Sequence, residues 1–234
     1  MTELTVPARF NGPPRSGNGG WTAGALAALV GEGQAVTVRL HRPPPLEVAM
    51  PVAEEDGATV ATHDGAPVAT AGPATVELRR VEPVTAEEAR AASEHYPGHA
   101  HHPFPTCFVC GTAREPGDGL RIFPGPVADG ADGTRAAATW TPTDSQASYA
   151  VAWAALDCVS AWGADLTERE LVLGTMTARI DELPPVGEEV VVVGGSRGTE
   201  GRKTFGAATL YGADGRVLAL AEHVWIAIDA KEFS

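Results

Sequence analysis

The sequence predicts an α+β protein built from two copies of one unit, each an antiparallel sheet wrapped around a central helix. Three observations carry this expectation. The chain repeats itself, each copy contains a helix-like stretch dominated by small residues, and each contains an Asp-Gly hairpin signal.

The first helix is expected over residues 19 to 31, "GGWTAGALAALVG", with Asn18 as its cap. Strands follow, beginning with "VRLHRPPPLEVAM". There an apolar strand runs into a proline pair, then an acidic residue, then a second apolar strand. In "HDGAPVATAGPATVEL", Asp64–Gly65 separates two alternating apolar runs, a strong hairpin pattern. Further on, "VTAEEARAASEH" sets Thr85 and Glu88 at capping-box spacing and predicts a short exposed helix. "YPGHAHHPFP" then reads as an irregular linker rich in Pro and Gly. The second helix is expected over residues 148 to 164, "SYAVAWAALDCVSAWGA", with Ala152, Ala155, Leu156, Val159 and Gly163 at helical spacing. Its strands repeat the first set. "ARIDELPPVGEEVVV" matches the first strand pair with Pro184–Pro185 at an offset of 140 from Pro44–Pro45. "ADGRVLALAEHVWIAI" matches the hairpin, with Asp214–Gly215 at an offset of 150 from Asp64–Gly65. The expected division is residues 1–80 for the first half, 81–104 for a linker with a short helix, and 105–234 for the second half.

A formal net charge of −13 argues against nucleic acid and anionic membrane surfaces as partners, because both need a positive field. Arg197, Arg202 and Lys203 are the candidate basic patch for an anionic ligand, or else a solvated loop. No apolar run reaches the roughly 18 residues of a transmembrane span. The start, "MTELTVPARFNG", lacks the charged-then-apolar pattern of a signal peptide. Three cysteines do not make a disulfide framework, so a reducing cytoplasm is the expected compartment.

The element order, and the stretch "CFVCG…GDGLRIF" near Cys107 and Cys110, resemble the hotdog-fold thioesterase superfamily. The paired halves look like a tandem, or double, hotdog. In relatives of the phenylacetate-pathway type, a His-Gly-Gly stretch opens the central helix and an Asp follows about two turns later. The resemblance implies a thioester hydrolase in which a glycine N–H polarises the carbonyl and the Asp activates water or attacks. This chain splits the pattern. Asn18, Gly19 and Gly20 stand at the His-Gly-Gly position of the first helix, while Ala27 holds the acidic position. Asp157 holds it in the second helix, where Ser148, Tyr149 and Ala150 replace His-Gly-Gly. One composite site is therefore expected, with Gly19 or Gly20 donating from the first half and Asp157 acting from the second. The mirror-related site would be dead.

Around that site the expected substrate contacts are Asn18, Trp21, Trp153, Arg202 and Lys203. For Trp153 core packing is the alternative, and for Trp21, Trp162 and Cys158 the simplest reading is core. His41 and His223 read as structural, and Asp144 as a turn or cap acid. Under the resemblance Phe108, Leu120, Ile122 and Phe123 anchor an edge of the core, with Cys107 and Cys110 as small buried hydrophobes. The alternative is zinc on Cys107 and Cys110 with two of His99, His101 and His102, since a structural zinc wants four ligands. A redox pair is disfavoured by the absence of a surrounding βαβ pattern. No cofactor is implied, coenzyme A entering only as part of a substrate. The partner expected is a small thioester or acyl ligand, and the fold allows a homodimer of tandem units. A non-catalytic protein that binds an acyl ligand is the competing function. A hydratase lacks its Asp and His at short spacing.

Overall fold

The structure is a computed structural model and describes residues 2–164, 166 and 169–229. Among the described residues eleven strands form one antiparallel sheet, ordered β1-β3-β4-β5-β2-β8-β11-β10-β9-β7-β6. The first half holds β1 (Thr2–Thr5), α1 (Gly19–Val30), β2 (Val36–Leu40), β3 (Ala49–Glu55), β4 (Ala58–His63) and β5 (Ala66–Pro73). Then come α2 (Ala86–Glu94), β6 (Gly125–Gly130), β7 (Gly133–Trp140) and α3 (Tyr149–Gly163). The chain closes with β8 (Leu171–Ile180), β9 (Val190–Glu200), β10 (Lys203–Tyr211) and β11 (Val217–Ala227).

The repeat is topological as well as sequential. From the sheet's first edge inward the order is β1, β3, β4, β5, β2, and from the other side it is β7, β9, β10, β11, β8, with β6 added outside. The halves join where β2 pairs with β8, and there Thr37 faces Thr177. These two threonines are 140 positions apart, the offset that relates the proline pairs. A residue paired with its own repeat lies on a pseudo-twofold axis, as one residue of a symmetric dimer would. Their hydroxyls are hydrogen-bonded at 2.8 Å.

Local chemistry accounts for the elements. Asn18 caps α1 by accepting the Trp21 N–H at 2.8 Å. α1 stops at Gly31, whose φ of 150° takes it out of the helix. Asp64–Gly65 closes the β4–β5 hairpin with φ of 49° and 71°, the left-handed pair that a two-residue turn requires. Asp56–Gly57 does the same between β3 and β4. At the Asp214–Gly215 hairpin only Gly215 is left-handed, which suits a longer loop.

α3 is apolar on every side because it is enclosed on every side: the sheet lies under it and α1 beside it. Glycines let the two helices touch. A Cβ on Gly24 would meet the Trp153 Cβ at 2.6 Å, and one on Gly20 the Asp157 Cβ at 2.6 Å. The sequence of contacts, Gly20 on Asp157 and Gly24 on Trp153 and Ala150, sets the helices antiparallel.

Two expectations need correction. The capping box at Thr85 and Glu88 is formed, but α2 is not simply exposed: Ala89 and Ala92 are buried against the second half. α2 covers the sheet face opposite α3. Val190 and Val192 therefore belong to the main core, Val191 and Val193 to the core beneath α2, and the unbroken valine run is explained by burial of both faces. The stretch read as linker is likewise packed, with Tyr96 and Phe104 both buried in the main core.

Candidate active site

The segment 104–123 stays outside the sheet and docks on the loop before α1. Phe108 N–H donates to the Asn11 carbonyl at 2.8 Å, and the Asn11 side-chain amide donates to Thr106 Oγ1 at 3.1 Å. Arg114 fastens the contact, donating to the Arg9 carbonyl at 2.7 Å and to Asn11 Oδ1. Phe108, Leu120 and Ile122 are buried and Phe123 packs against the same core, so both ends of the "CFVCG…GDGLRIF" stretch plug into the core while residues 115–118 between them are exposed. Cys107 and Cys110 thereby reach α3.

What this assembly encloses is a cavity of about 260 Å³. Its apolar wall includes Leu40, Phe104, Leu171, Leu173, Trp225 and Ile228. Its polar end includes Asn18, Gly19, Asp157, His102 and the three cysteines.

Asp157 is 2% exposed, and one oxygen is fully engaged. Oδ2 accepts the Gly20 N–H at 3.0 Å and the Asn18 side-chain amide at 2.9 Å. These donors belong to the N-terminus of α1, where unpaired N–H groups and the helix dipole favour an anion. Oδ1 is buried with no hydrogen-bond partner among the described residues. Burial pushes the carboxyl up to about 7, the Gly20 N–H draws it back, the Cys107 charge raises it and the Asn18 amide lowers it. A carboxylate so placed is poised to take up and give up a proton near neutrality.

Gly19 offers the first N–H of α1, and no acceptor for it occurs among the described residues. Its Cα is also pressed close: a Cβ there would meet the Leu173 side chain at 2.8 Å. Gly20 differs from the sequence expectation. Its N–H points at Asp157 rather than at open space, and of the two glycines Gly19 is the one that lines the cavity. The mirror-related position carries Ala27 and Ala150 and has no acid.

His102 is neutral with a fixed tautomer. Its Nδ1 accepts the Phe104 N–H at 3.0 Å, which leaves the proton on Nε2, 3.1 Å from the Cys110 carbonyl. Burial holds its pKa down. Both nitrogens being occupied, His102 is not available to a metal, and His99 and His101 are exposed. The Cys107–Cys110–histidine zinc set of the sequence reading is therefore not assembled. Instead Cys158 joins the pair. The sulfurs of Cys107, Cys110 and Cys158 all lie within 4.8 Å of one another, buried and unbridged. Cys107 is the sulfur that favours the thiolate, held low by hydrogen bonds from the other two thiols.

Of the expected substrate contacts, Asn18 lines the cavity, though as a holder of Asp157. Trp21 does not line it; the ring stacks on Phe10 at 4.4 Å. Trp153 does not either: it is fully buried beneath Gly24, one helical turn toward the α1–α3 crossing and away from the cavity. Arg202 and Lys203 are exposed at the β9–β10 turn, with Arg202 donating to the Ala227 carbonyl. Arg42 was not singled out by sequence reasoning, yet it lines the cavity and is exposed to solvent. The proline run that follows it was the available signal. Elsewhere, His223 is buried as expected of a structural residue. Trp225 Nε1–H donates to Ser160 Oγ at 2.9 Å, and Ser160 Oγ is hydrogen-bonded to His223 Nδ1 at 3.1 Å.

No protein-family model and no curated protein matches the chain. Solved structures do. A conserved protein of unknown function with hot dog fold from Alicyclobacillus acidocaldarius superposes with a TM-score of 0.60 at 14% identity, over 97% of this chain and 92% of that one. The TesB protein of Mycobacterium avium subs paratuberculosis gives 0.59 at 12%, over 97% and 91%. An acyl-CoA thioesterase II from Mycobacterium marinum gives 0.52 at 9%, over 84% and 80%. The coverage spans both halves, and the chain is a double hotdog. At these identities the likeness establishes the fold. Among the described residues no helix is long and apolar enough to cross a membrane.

Proposed function

We propose that the chain hydrolyses a thioester of a small or medium acyl group, in one composite site between the halves. The observation that carries the reading is Asp157 of the second half, fastened to the N-terminal amides of α1 in the first half, in the wall of an apolar cavity. Hydrogen bonds on Oδ2 fix the carboxylate and leave Oδ1 as the reacting oxygen. Oδ1 takes a proton from water as it adds to the carbonyl carbon, or attacks that carbon itself. The Gly19 N–H receives the oxygen that becomes negative. Where water is the nucleophile, the C–S bond then breaks and the proton held on Oδ1 passes to the leaving sulfur; where Oδ1 itself attacks, the thiolate leaves, and water then hydrolyses the acyl anhydride, which restores the carboxylate and protonates the thiolate. The apolar wall takes the acyl chain. Arg42 at the mouth offers a positive charge to an anionic carrier such as coenzyme A, against a chain of net charge −13.

A second reading has its own support. Asp157 also serves α1 as a cap, so the same bonds would exist in a non-catalytic acyl-binding protein. An acyl-CoA panel assayed with the wild type and with Asp157→Asn separates the two. The substitution keeps an oxygen for the Gly20 and Asn18 donors. Hydrolysis is expected to fall about 10²–10⁴-fold with ligand binding retained, as loss of a general base predicts. Stable binding with no turnover of any ester would assign the protein to the binding class instead.

A further inference from the structure

We propose that Cys107, Cys110 and Cys158 form a thiolate site for one zinc ion, with its fourth position open to the cavity. All three cysteines of the chain meet here. They come from separate elements, two from the plug segment and one from α3, 48 positions further on. In a tetrahedral zinc site with Zn–S bonds near 2.3 Å, sulfur atoms stand about 3.8 Å apart. Cys107 and Cys158 are 3.8 Å apart, and the third sulfur lies within reach of both. Collapse onto an ion would need only small shifts of side chains.

The surroundings suit thiolates rather than apolar packing alone. The Asn18 side-chain amide points at Cys107 Sγ from 3.9 Å. Such donors stabilise a metal-bound thiolate and orient it. The turn that presents the pair is tight: Gly111 N–H donates to the Cys107 carbonyl at 2.9 Å, and a Cβ on Gly111 would meet that oxygen at 2.5 Å. Soft sulfur ligands select zinc over hard cations. Three protein ligands with the fourth side open is the form that exchanges water or an external ligand. All three cysteines and Asp157 lie in the cavity wall, so that exchangeable ligand would come from the cavity.

The test uses the reduced full-length protein, stripped with a chelator and titrated with Co²⁺ as an optical probe. One equivalent per chain is expected to bind, with an intense near-ultraviolet thiolate-to-cobalt band that Zn²⁺ abolishes on displacement. Zinc binding should also release protons from the thiols. Cys158→Ser should weaken binding and reduce the band by the share of one thiolate. Band intensity in the wild type reports the number of sulfur ligands by itself, so the outcome stands even if the variant does not fold. Absence of the band, or cobalt binding that survives alkylation of all three thiols, overturns the proposal.

Discussion

Replacing Gly20 with Ala tests whether the contact between the two central helices sets up the chemistry. The new Cβ would lie 2.6 Å from the Asp157 Cβ and 3.0 Å from both its Cγ and the Trp153 carbonyl oxygen. Carbon atoms at rest stand about 3.5–4.0 Å apart, so α1 and α3 must separate by about 1 Å. Overpacking of this kind costs about 1–3 kcal/mol. The better helix propensity of Ala returns up to about 1 kcal/mol. A net loss of about 1–2 kcal/mol is expected, which lowers the melting temperature of a chain this size by about 2–8 °C. The same displacement stretches the 3.0 Å bond from Gly20 N–H to Asp157 and misplaces the carboxylate. A misplacement near 1 Å costs about 10²-fold in rate. Gly24→Ala is the matched control. Its Cβ would collide with the Trp153 Cβ at 2.6 Å, one turn from Asp157. It should cost similar stability but much less activity. Melting curves and steady-state rates are measured on both variants with the best ester of the panel. Equal loss of rate in the two, or an undiminished rate in Gly20→Ala, would refute the reasoning.

Three further outcomes are expected. His223 is fully buried with its pKa lowered from 6.5 to about 3 by desolvation, so it stays neutral in the fold while the unfolded chain binds a proton below pH 6.5. The fold is therefore penalised as pH falls from about 6.5 toward 3, on the order of 5 kcal/mol across that window; among the described residues no charged group acts on it, its neighbours being Ser160, Trp225 and the Gly206 backbone. Urea midpoints between pH 7 and pH 4 should fall less in His223→Gln than in the wild type, and parallel curves would contradict this. Thr37→Val or Thr177→Val alone leaves one hydroxyl of the 2.8 Å pair unsatisfied at the junction of the halves and should cost about 1 kcal/mol, while the double variant should cost less than the sum. Additive losses in denaturant titrations would show that the two do not interact. Arg42→Ala should raise KM for an anionic coenzyme ester several-fold at unchanged kcat, and the effect should fade with added salt. A change in kcat alone would place Arg42 elsewhere in the reaction.

Much of the fold was legible because it is written in short-range patterns. α1 and α3 follow from runs of small helix formers, the β4–β5 hairpin from Asp64–Gly65, and the α2 cap from Thr85 and Glu88. The short edge strands β1 and β6 were not legible. Thr2–Thr5 is too brief to show alternation, and β6 carries Pro126 and two glycines. Trp153 was drawn to the ligand because it lies four residues before Asp157 on one helical stripe. The antiparallel crossing of α1 turns that stripe away from the cavity within a single turn.

By itself the sequence determined that the chain has two related halves, that each centres on a close-packed helix, and that one half keeps the glycines while the other keeps the acid. Periodicity, turn chemistry and internal offset are properties of neighbouring residues, and they survive without a partner. Tertiary structure alone decided which amide meets which oxygen: Gly20 on Asp157 across 137 positions, with Gly19 left unpaired. It alone brought Cys158 to Cys107 and Cys110, and Arg42 rather than Arg202 or Lys203 to the cavity. Those encounters depend on the register of β2 against β8 and on how closely two glycine-bearing helix faces approach, and neither is encoded in any single stretch of chain.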